Sequence, residues 1–429
     1  MSVRKLSVRH LGASLLAISA FATSGAFAQS NQPNQPMGDV VRGATVTERA
    51  RPDYDPIGVR LGGFFLLPAL SVQESYNSNI FATNTNEESD FITSIEPKLD
   101  LRSNWNNHAL NLHADARVVR FADFSSEDFE DYTLAADGRV DVQRDFRLFG
   151  GVAHMLRHEQ RSSPNSPASA AEPSEYELSS INLGAEKQFN RVSTRLDAKR
   201  DYISYDNVRL NNGTLSDQGD RDREQTEIGL RTGYEITPLR EVYLLGRYNF
   251  REYDRTTDRN GFRRDSDGYT LAVGAEYDLT GVTFLDAFVG YTKQEYDDAR
   301  LKELSGWTAG AKLIWNVTQL TTITGTLSRE VEETILSNAS GYFATRAEIR
   351  ADHELLRNLL LNASLGYEND AFEGISRDDD YYLAGIGAKY LMNRFLSVSG
   401  GYGYRTRSSN QPNADFDENV VFLRLTGQM

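Results

Sequence analysis

Five histidines follow residue 28: His108, His113, His154, His158 and His353. They are the side chains best suited to acid–base or metal chemistry near neutral pH. His154 and His158 are four apart, which would align them on a helix. Their surroundings read as a strand entering a loop, where that spacing keeps one face but separates them by about 13 Å, too far to share a metal. None stands in a recognised ligand motif. Serine and threonine are plentiful, but nothing in their spacing marks one as a nucleophile beside a base. The stretch SGGYGYR at 399–405 has the glycines of a phosphate loop without the Lys-Ser/Thr ending or a following helix. It reads instead as small residues relieving crowding in a curved sheet. No catalytic, metal-binding or cofactor-binding residue is therefore expected, and no enzymatic activity.

Other charges stand in a more informative pattern. Across 91–102, Phe91, Ile95, Leu99 and Leu101 share one parity, and Ser94, Glu96, Lys98, Asp100 and Arg102 share the other. In a strand those parities lie on opposite faces. The pattern recurs with Leu110, Leu112, Ala114, Ala116 and Val118 against Asn111, His113, Asp115 and Arg117, then with Tyr132, Leu134, Ala136, Val140 and Val142 against Thr133, Asp137, Arg139 and Asp141. Later copies occupy 226–236, 242–250, 269–279, 307–315, 359–367 and 382–390. No segment sustains a 3.6-residue period, so the fold class is all-β.

On the charged parity stand Arg102, Asp115, Arg117, Asp137, Arg139, Arg195, Asp197, Arg231, Arg247, Arg251, Lys312, Arg346 and Arg350. An Arg or Lys facing lipid at the bilayer midplane costs about 2–4 kcal/mol. If the strands span a membrane, these side chains line a lumen. Most are expected to pair across strands and stiffen the wall, and together they offer a hydrated path for a polar solute, with Arg and Tyr as weak sugar contacts. Neither sign dominates enough to name an ion preference. Acidic residues also gather in the breaks, as Glu87, Glu88 and Asp90, as Glu127, Asp128, Glu130 and Asp131, and as Asp378, Asp379 and Asp380. Such runs read as solvated loops, open to bridging by divalent ions to anionic lipopolysaccharide.

The breaks alternate in length. Short ones fall near 104–107, 144–145, 190–191, 237–240, 280–281, 316–318, 356–358 and 393–394. Long ones fall near 78–90, 122–131, 159–174, 207–223, 254–267, 297–304, 332–341, 370–379 and 406–418. Bacterial outer-membrane barrels have short periplasmic turns and longer outer loops. The spacing predicts a transmembrane antiparallel up-and-down β-barrel of about 18 strands, with about 16 allowed by alternate pairings. A sandwich would have shorter strands and more uniform connections, and a propeller would repeat every ~40 residues. Neither accounts for aromatic residues near the strand ends, among them Phe91, Phe121, Tyr234, Tyr269, Trp307, Trp315, Tyr382 and Tyr402. Rings there suit two headgroup girdles.

Composition agrees. The chain has 429 residues, a net charge of -15 and no cysteine, and its mean hydropathy is -0.51. No apolar run beyond the N-terminus approaches the ~20 residues of a membrane helix. Residues 1–28 read as a signal peptide, with Arg4, Lys5 and Arg9 before an apolar stretch and Ala26-Phe27-Ala28 as cleavage site. Residues 29–63 read as an irregular periplasmic arm, a tether that could also act as plug or docking segment, because QSNQPNQP and RARPDYDPIG bury little apolar surface. The barrel is expected over 64–429. Lack of cysteine suits a chain crossing an oxidising periplasm unfolded.

The segment from Tyr76 to Leu112, with RPDYDPIGVRLGGFFLLPAL before it, resembles the β-barrel porin type 2 family. Tyr76, Asn77, Asn79, Ile80, Phe81, Ser89, Asp90, Pro97, Ser103 and Trp105 carry the likeness, which is specific over about 51–112. The resemblance implies an outer-membrane barrel associated with exopolysaccharide production and export, and it supplies no catalytic residues. The chain ends Leu425-Thr-Gly-Gln-Met429 without the terminal aromatic residue that barrel assembly machinery commonly reads, although Val421, Leu423 and Leu425 still alternate. The expected location is the bacterial outer membrane. Expected partners are outer-membrane lipid and lipopolysaccharide, the assembly machinery and periplasmic polysaccharide-export proteins, with no nucleic acid. A general diffusion porin and a closed structural or adhesion barrel fit the same residues.

Overall fold

A computed structural model describes residues 43–167 and 169–429. The expected signal peptide, 1–28, and the first part of the arm lie outside the described residues. Long strands fill the rest: β1 (Phe64–Asn77), β2 (Asp90–Ser103), β3 (Ala109–Phe121), β4 (Phe129–Gln143), β5 (Phe146–His158), β6 (Glu175–Phe189), β7 (Val192–Tyr205), β8 (Arg223–Thr237) and β9 (Arg240–Tyr253). They continue as β10 (Ser266–Asp278), β11 (Thr283–Tyr296), β12 (Leu304–Thr318), β13 (Thr321–Glu333), β14 (Gly341–Leu356), β15 (Leu359–Glu373), β16 (Asp378–Leu391), β17 (Leu396–Ser409) and β18 (Phe416–Gln428). Each pairs antiparallel with its neighbour in sequence, and β18 returns to β1 from Ala69↔Gln428 to Asn77↔Val420. The sheet is a closed barrel of eighteen strands, as the alternating breaks predicted, and sixteen is excluded. Closure leaves no sheet edge in lipid, where an unpaired backbone group costs several kcal/mol.

Burial is inverted relative to a water-soluble protein. Leu183, Leu244, Leu365 and Leu423 are 62–63% exposed, whereas Asn79, Thr322 and Asp379 are 0% exposed. Water-soluble domains bury the first kind of residue and expose the second. Here the apolar parity faces outward and the polar parity faces a lumen. The short turns define the periplasmic end, and two of them need left-handed backbone that Asn and Gly adopt cheaply, at Asn190 (φ 55°) and Gly281 (φ 76°).

Three local expectations are corrected. Asp378, Asp379 and Asp380 are not loop residues but open β16, leaving a connection of only 374–377. Apolar alternation fades there, yet the strand persists because Arg377 and the Ser409 hydroxyl satisfy the buried Asp379 carboxylate. Glu127, read as solvated, is 3% exposed and holds the Arg161 guanidinium. Phe121 turns into the barrel and lines the cavity rather than an outer girdle.

Candidate functional site: the lumen between a loop strut and a periplasmic arm

The lumen holds a cavity of about 1320 Å³, continuous from Arg51 near the periplasmic end to Ser162 near the outer end. Of the residues expected to line it, Asp115, Arg117, Arg195, Asp197, Arg231, Arg247, Arg251 and Arg346 do so. The others are held along the wall outside this cavity's lining. Arg102 joins Asp100, Asn111 donates to Asp137, Arg139 joins Asp141, Lys312 lies opposite Asp286 in register, and Arg350 joins Asp352.

The wall charges are cross-linked rather than free. Glu96 bridges Arg117 (3.4 Å) and Arg424 (3.1 Å), joining β2, β3 and β18. Arg231 reaches Glu241 at 2.9 Å and Glu276 at 3.3 Å, and Arg346 reaches Glu368 at 2.7 Å and Glu332 at 3.3 Å. His113 lies between Asp100 and Asp115, each at 2.7 Å. Basic and acidic side chains line the cavity in nearly equal number, so the acidic balance of the chain as a whole does not extend to its interior. Arg405 and Arg424 also line it and were missed as candidates. Their parity was the available signal, since Arg405 alternates with Tyr402 and Tyr404, and Arg424 with Leu423 and Leu425.

Several inward rings lie over glycines of the next strand. A Cβ on Gly184 would stand 2.2 Å from the Phe149 ring, and one on Gly274 would stand 2.3 Å from the Tyr243 ring. Only glycine lets the rings lie this flat against the wall. Guanidinium groups cap both, Arg195 at 4.1 Å over Phe149 and Arg231 at 4.0 Å over Tyr243.

The connection 159–174 between β5 and β6 crosses the outer part of the lumen as a strut. At its root, Glu159 accepts both terminal nitrogens of Arg221, at 2.8 and 3.1 Å. Its middle meets β17, where Arg405 donates to the Ser162 hydroxyl (3.1 Å) and Arg407 to the Ser162 carbonyl (2.8 Å). Asn165 meets the outer loop that follows β13, accepting from the Thr334 hydroxyl (2.8 Å) and the Ile335 N–H (3.1 Å). Strands β5 and β13 are eight apart in a ring of eighteen, so the strut links loops from opposite sides of the ring.

At the other end the arm lies along the periplasmic rim. The Val46 N–H donates to the buried Thr322 hydroxyl (2.9 Å). Arg51 donates to Glu354 (2.7 Å), Arg357 to the Ala50 carbonyl (3.2 Å) and Gln428 to the Tyr54 carbonyl (3.3 Å). Val59–Leu61 then pairs with the start of β1. Arm and wall thus share polar contacts from β13 round to β1, buried at Thr322 and Glu354.

Residues of the Tyr76–Trp105 motif do not line the conduit as a group. Those from Asn77 to Asp90 fasten the first outer loop at the seam where the barrel closes, whereas Pro97 and Trp105 lie lower on the wall. Asn79 accepts from the Thr83 N–H (3.0 Å) and donates to the Thr83 and Asp417 carbonyls (2.8 and 3.0 Å). Asn77 donates to Glu418 (2.7 Å), and the Asp90 carboxylate accepts from the Asp123 and Phe124 N–H groups. Phe81 packs edge-on against Phe124, Tyr76 against Phe91, and Trp105 against Phe64. Pro97 interrupts the β2–β3 ladder, which skips Glu96 and Pro97 because proline offers no N–H.

The outer loops are clipped by carboxylates with lowered proton affinity. The Arg300 guanidinium, with the Arg263 and Arg300 N–H groups, holds the Asp298 carboxyl well below the usual range, tying 254–265 to 297–303. Burial works against ionisation of Asp220, but the Arg259 side chain and N–H overcome it and hold that carboxyl low as well.

The family described as "Putative beta-barrel porin 2" matches residues 51–429. Among solved structures, the chain is similar to OccK2 (OpdF) of Pseudomonas aeruginosa at 13% identity and a TM-score of 0.47, covering 86% of this chain and 99% of that one. It is also similar to OccAB4 of Acinetobacter baumannii at 13% identity and a TM-score of 0.45, covering 85% and 98% respectively. No curated protein matches the chain in sequence.

Proposed function

Since this chain belongs to that family of β-barrel porins and is integral to the outer membrane, we propose that it is a passive conduit for polar solute, serving secretion of an exopolysaccharide. The observation that carries this reading is the continuous cavity of about 1320 Å³ between arm and strut. It exceeds the ~300–1,000 Å³ of a site built to hold one small ligand, as suits a chain in transit. Its wall combines paired charges of both signs with flat rings at Phe149 and Tyr243. Polar groups satisfy hydroxyls while rings pack against the apolar faces of sugars, so many weak contacts replace one tight site. The conduit makes and breaks no bond. Driving force comes from periplasmic or inner-membrane partners, and the arm at the periplasmic rim serves as partial plug or docking segment for them.

The test is polysaccharide output, released and cell-retained, in a clean deletion strain with and without the restored gene. Loss of release that complementation repairs supports the export conduit. Unchanged output refutes it and leaves a general diffusion porin, which single-channel conductance in a planar bilayer would then reveal.

A further inference from the structure

The outer face of the wall carries a group that the conduit does not use. On β13 the lipid-facing parity runs through Leu327, 37% exposed, to Arg329, close to the outer-loop end of the strand. The guanidinium lies between two rings, 4.6 Å from Trp307 and 4.5 Å from Phe343. Its Nη1 donates to the Thr345 hydroxyl, and its Nε is buried without a partner. Trp307 is 52% exposed to the surroundings of the barrel, so the stack faces out of the wall.

The strands splay here. The β12–β13 ladder stops at Ala309↔Arg329, and the Thr308 hydroxyl substitutes for the next rung by donating to the Arg329 carbonyl (2.7 Å). Phe343, 3% exposed, fills the gap beside Gly306, where an added Cβ would lie 3.3 Å from its ring. The result is a ring-filled break in the ladder with a cation beside it.

Other cations on this rim hold carboxylates: Arg120 holds Glu130, Arg200 holds Glu224, and Lys293 holds Glu295 and Glu303. Arg329 forms no ion pair among the described residues. An unpaired guanidinium would be excluded from the midplane but is tolerated at headgroup height. Phosphate is the anion that a lipid presents there, and it matches the planar donor set of arginine.

We propose that Arg329, stacked between Trp307 and Phe343, binds the phosphate of an outer-leaflet lipid and fixes it beside the β12–β13 break. The site is independent of what passes through the lumen. It is tested on the full barrel in neutral detergent, by native mass spectrometry with diphosphorylated lipid A and its dephosphorylated counterpart as probes. The wild type retains the phosphorylated lipid in preference, and Arg329→Gln lowers that preference about tenfold, as expected for loss of a charge-assisted hydrogen bond. Arg329→Lys keeps part of it. The folded, fast-migrating gel band of each variant shows that the barrel is intact. Equal preference in wild type and Arg329→Gln overturns the proposal. So does displacement of the lipid by inorganic phosphate alone, which would make the site one for a free anion.

Discussion

Arg51 and Glu354 make the contact that most firmly positions the arm. Their side chains are 3% and 7% exposed, so removing either partner leaves the other buried and unbalanced, at a cost of about 3–5 kcal/mol. That cost is relieved locally, because the arm can leave while the wall ladder remains paired. Arg51→Ala should therefore expose 43–56 to protease and raise single-channel conductance without loss of the folded barrel, and unchanged conductance would mean that the arm obstructs nothing. Gly184 tests the wall itself. In Gly184→Val the new Cβ collides with Phe149, the ring swings into the lumen, and Arg195 loses its platform. Overpacking of this kind costs about 1–3 kcal/mol, read as an earlier urea midpoint of unfolding, together with a narrowed, lower-conductance lumen.

Among the elements, the strut governs how open the outer half of the lumen is. It is held by hydrogen bonds and ion pairs rather than by an apolar core, with Ser162 on β17 and Asn165 beyond β13 as its far anchors. Replacing 162–171 by a short Gly-Ser turn should raise conductance and remove current flicker, while the strand content by circular dichroism stays unchanged. Equal conductance in the trimmed protein would show that the strut is not the narrowest point. The loop clips make a second prediction at this scale. Asp298 and Asp220 have lowered proton affinity in the folded loops. Their contribution is full above the unfolded value near pH ~4 and is lost only as pH falls through the lower folded values. Amide-exchange protection in 254–265 and 297–303, corrected for intrinsic rate, should hold from about pH 7 down to pH 5 and decline only below pH ~4. A decline between pH 7 and 5 would contradict it.

For the whole molecule, a closed ring of eighteen strands separates two jobs that a water-soluble protein combines in one core. Apolar area faces lipid, and the interior is left to polar groups that satisfy one another. Such a wall tolerates charge inside at little cost, because cross-strand partners such as Glu96 with Arg117 and Arg424 are within reach. The mixed signs also predict weak ion selectivity: reversal potentials in a salt gradient should stay near zero, and strong anion or cation selectivity would point to a strut or arm charge controlling the narrowest section.

Strand identity, strand number and the inward face of most charges were legible in the sequence, since a period of two and the alternation of loop lengths are properties of neighbours along the chain. Leu183 and Arg195 declare their faces by parity alone. The Tyr76–Trp105 motif announced the family but not the work of its first half, Asn77 to Asp90, which is to fasten a loop at the closing seam. Decisions made only by the tertiary structure involve residues far apart in sequence. Ser162 and Arg407 are separated by 245 positions, and Arg51 and Glu354 by 303. Parity says which face a side chain takes; it cannot say which buried donor across a lumen will meet it. Parity puts Arg329 on the outer face with Leu327, but it does not give the parting of two strands at its height or the pair of rings that receives it. Local patterning sets the wall, and the pairing of desolvated polar groups across the barrel sets what occupies it.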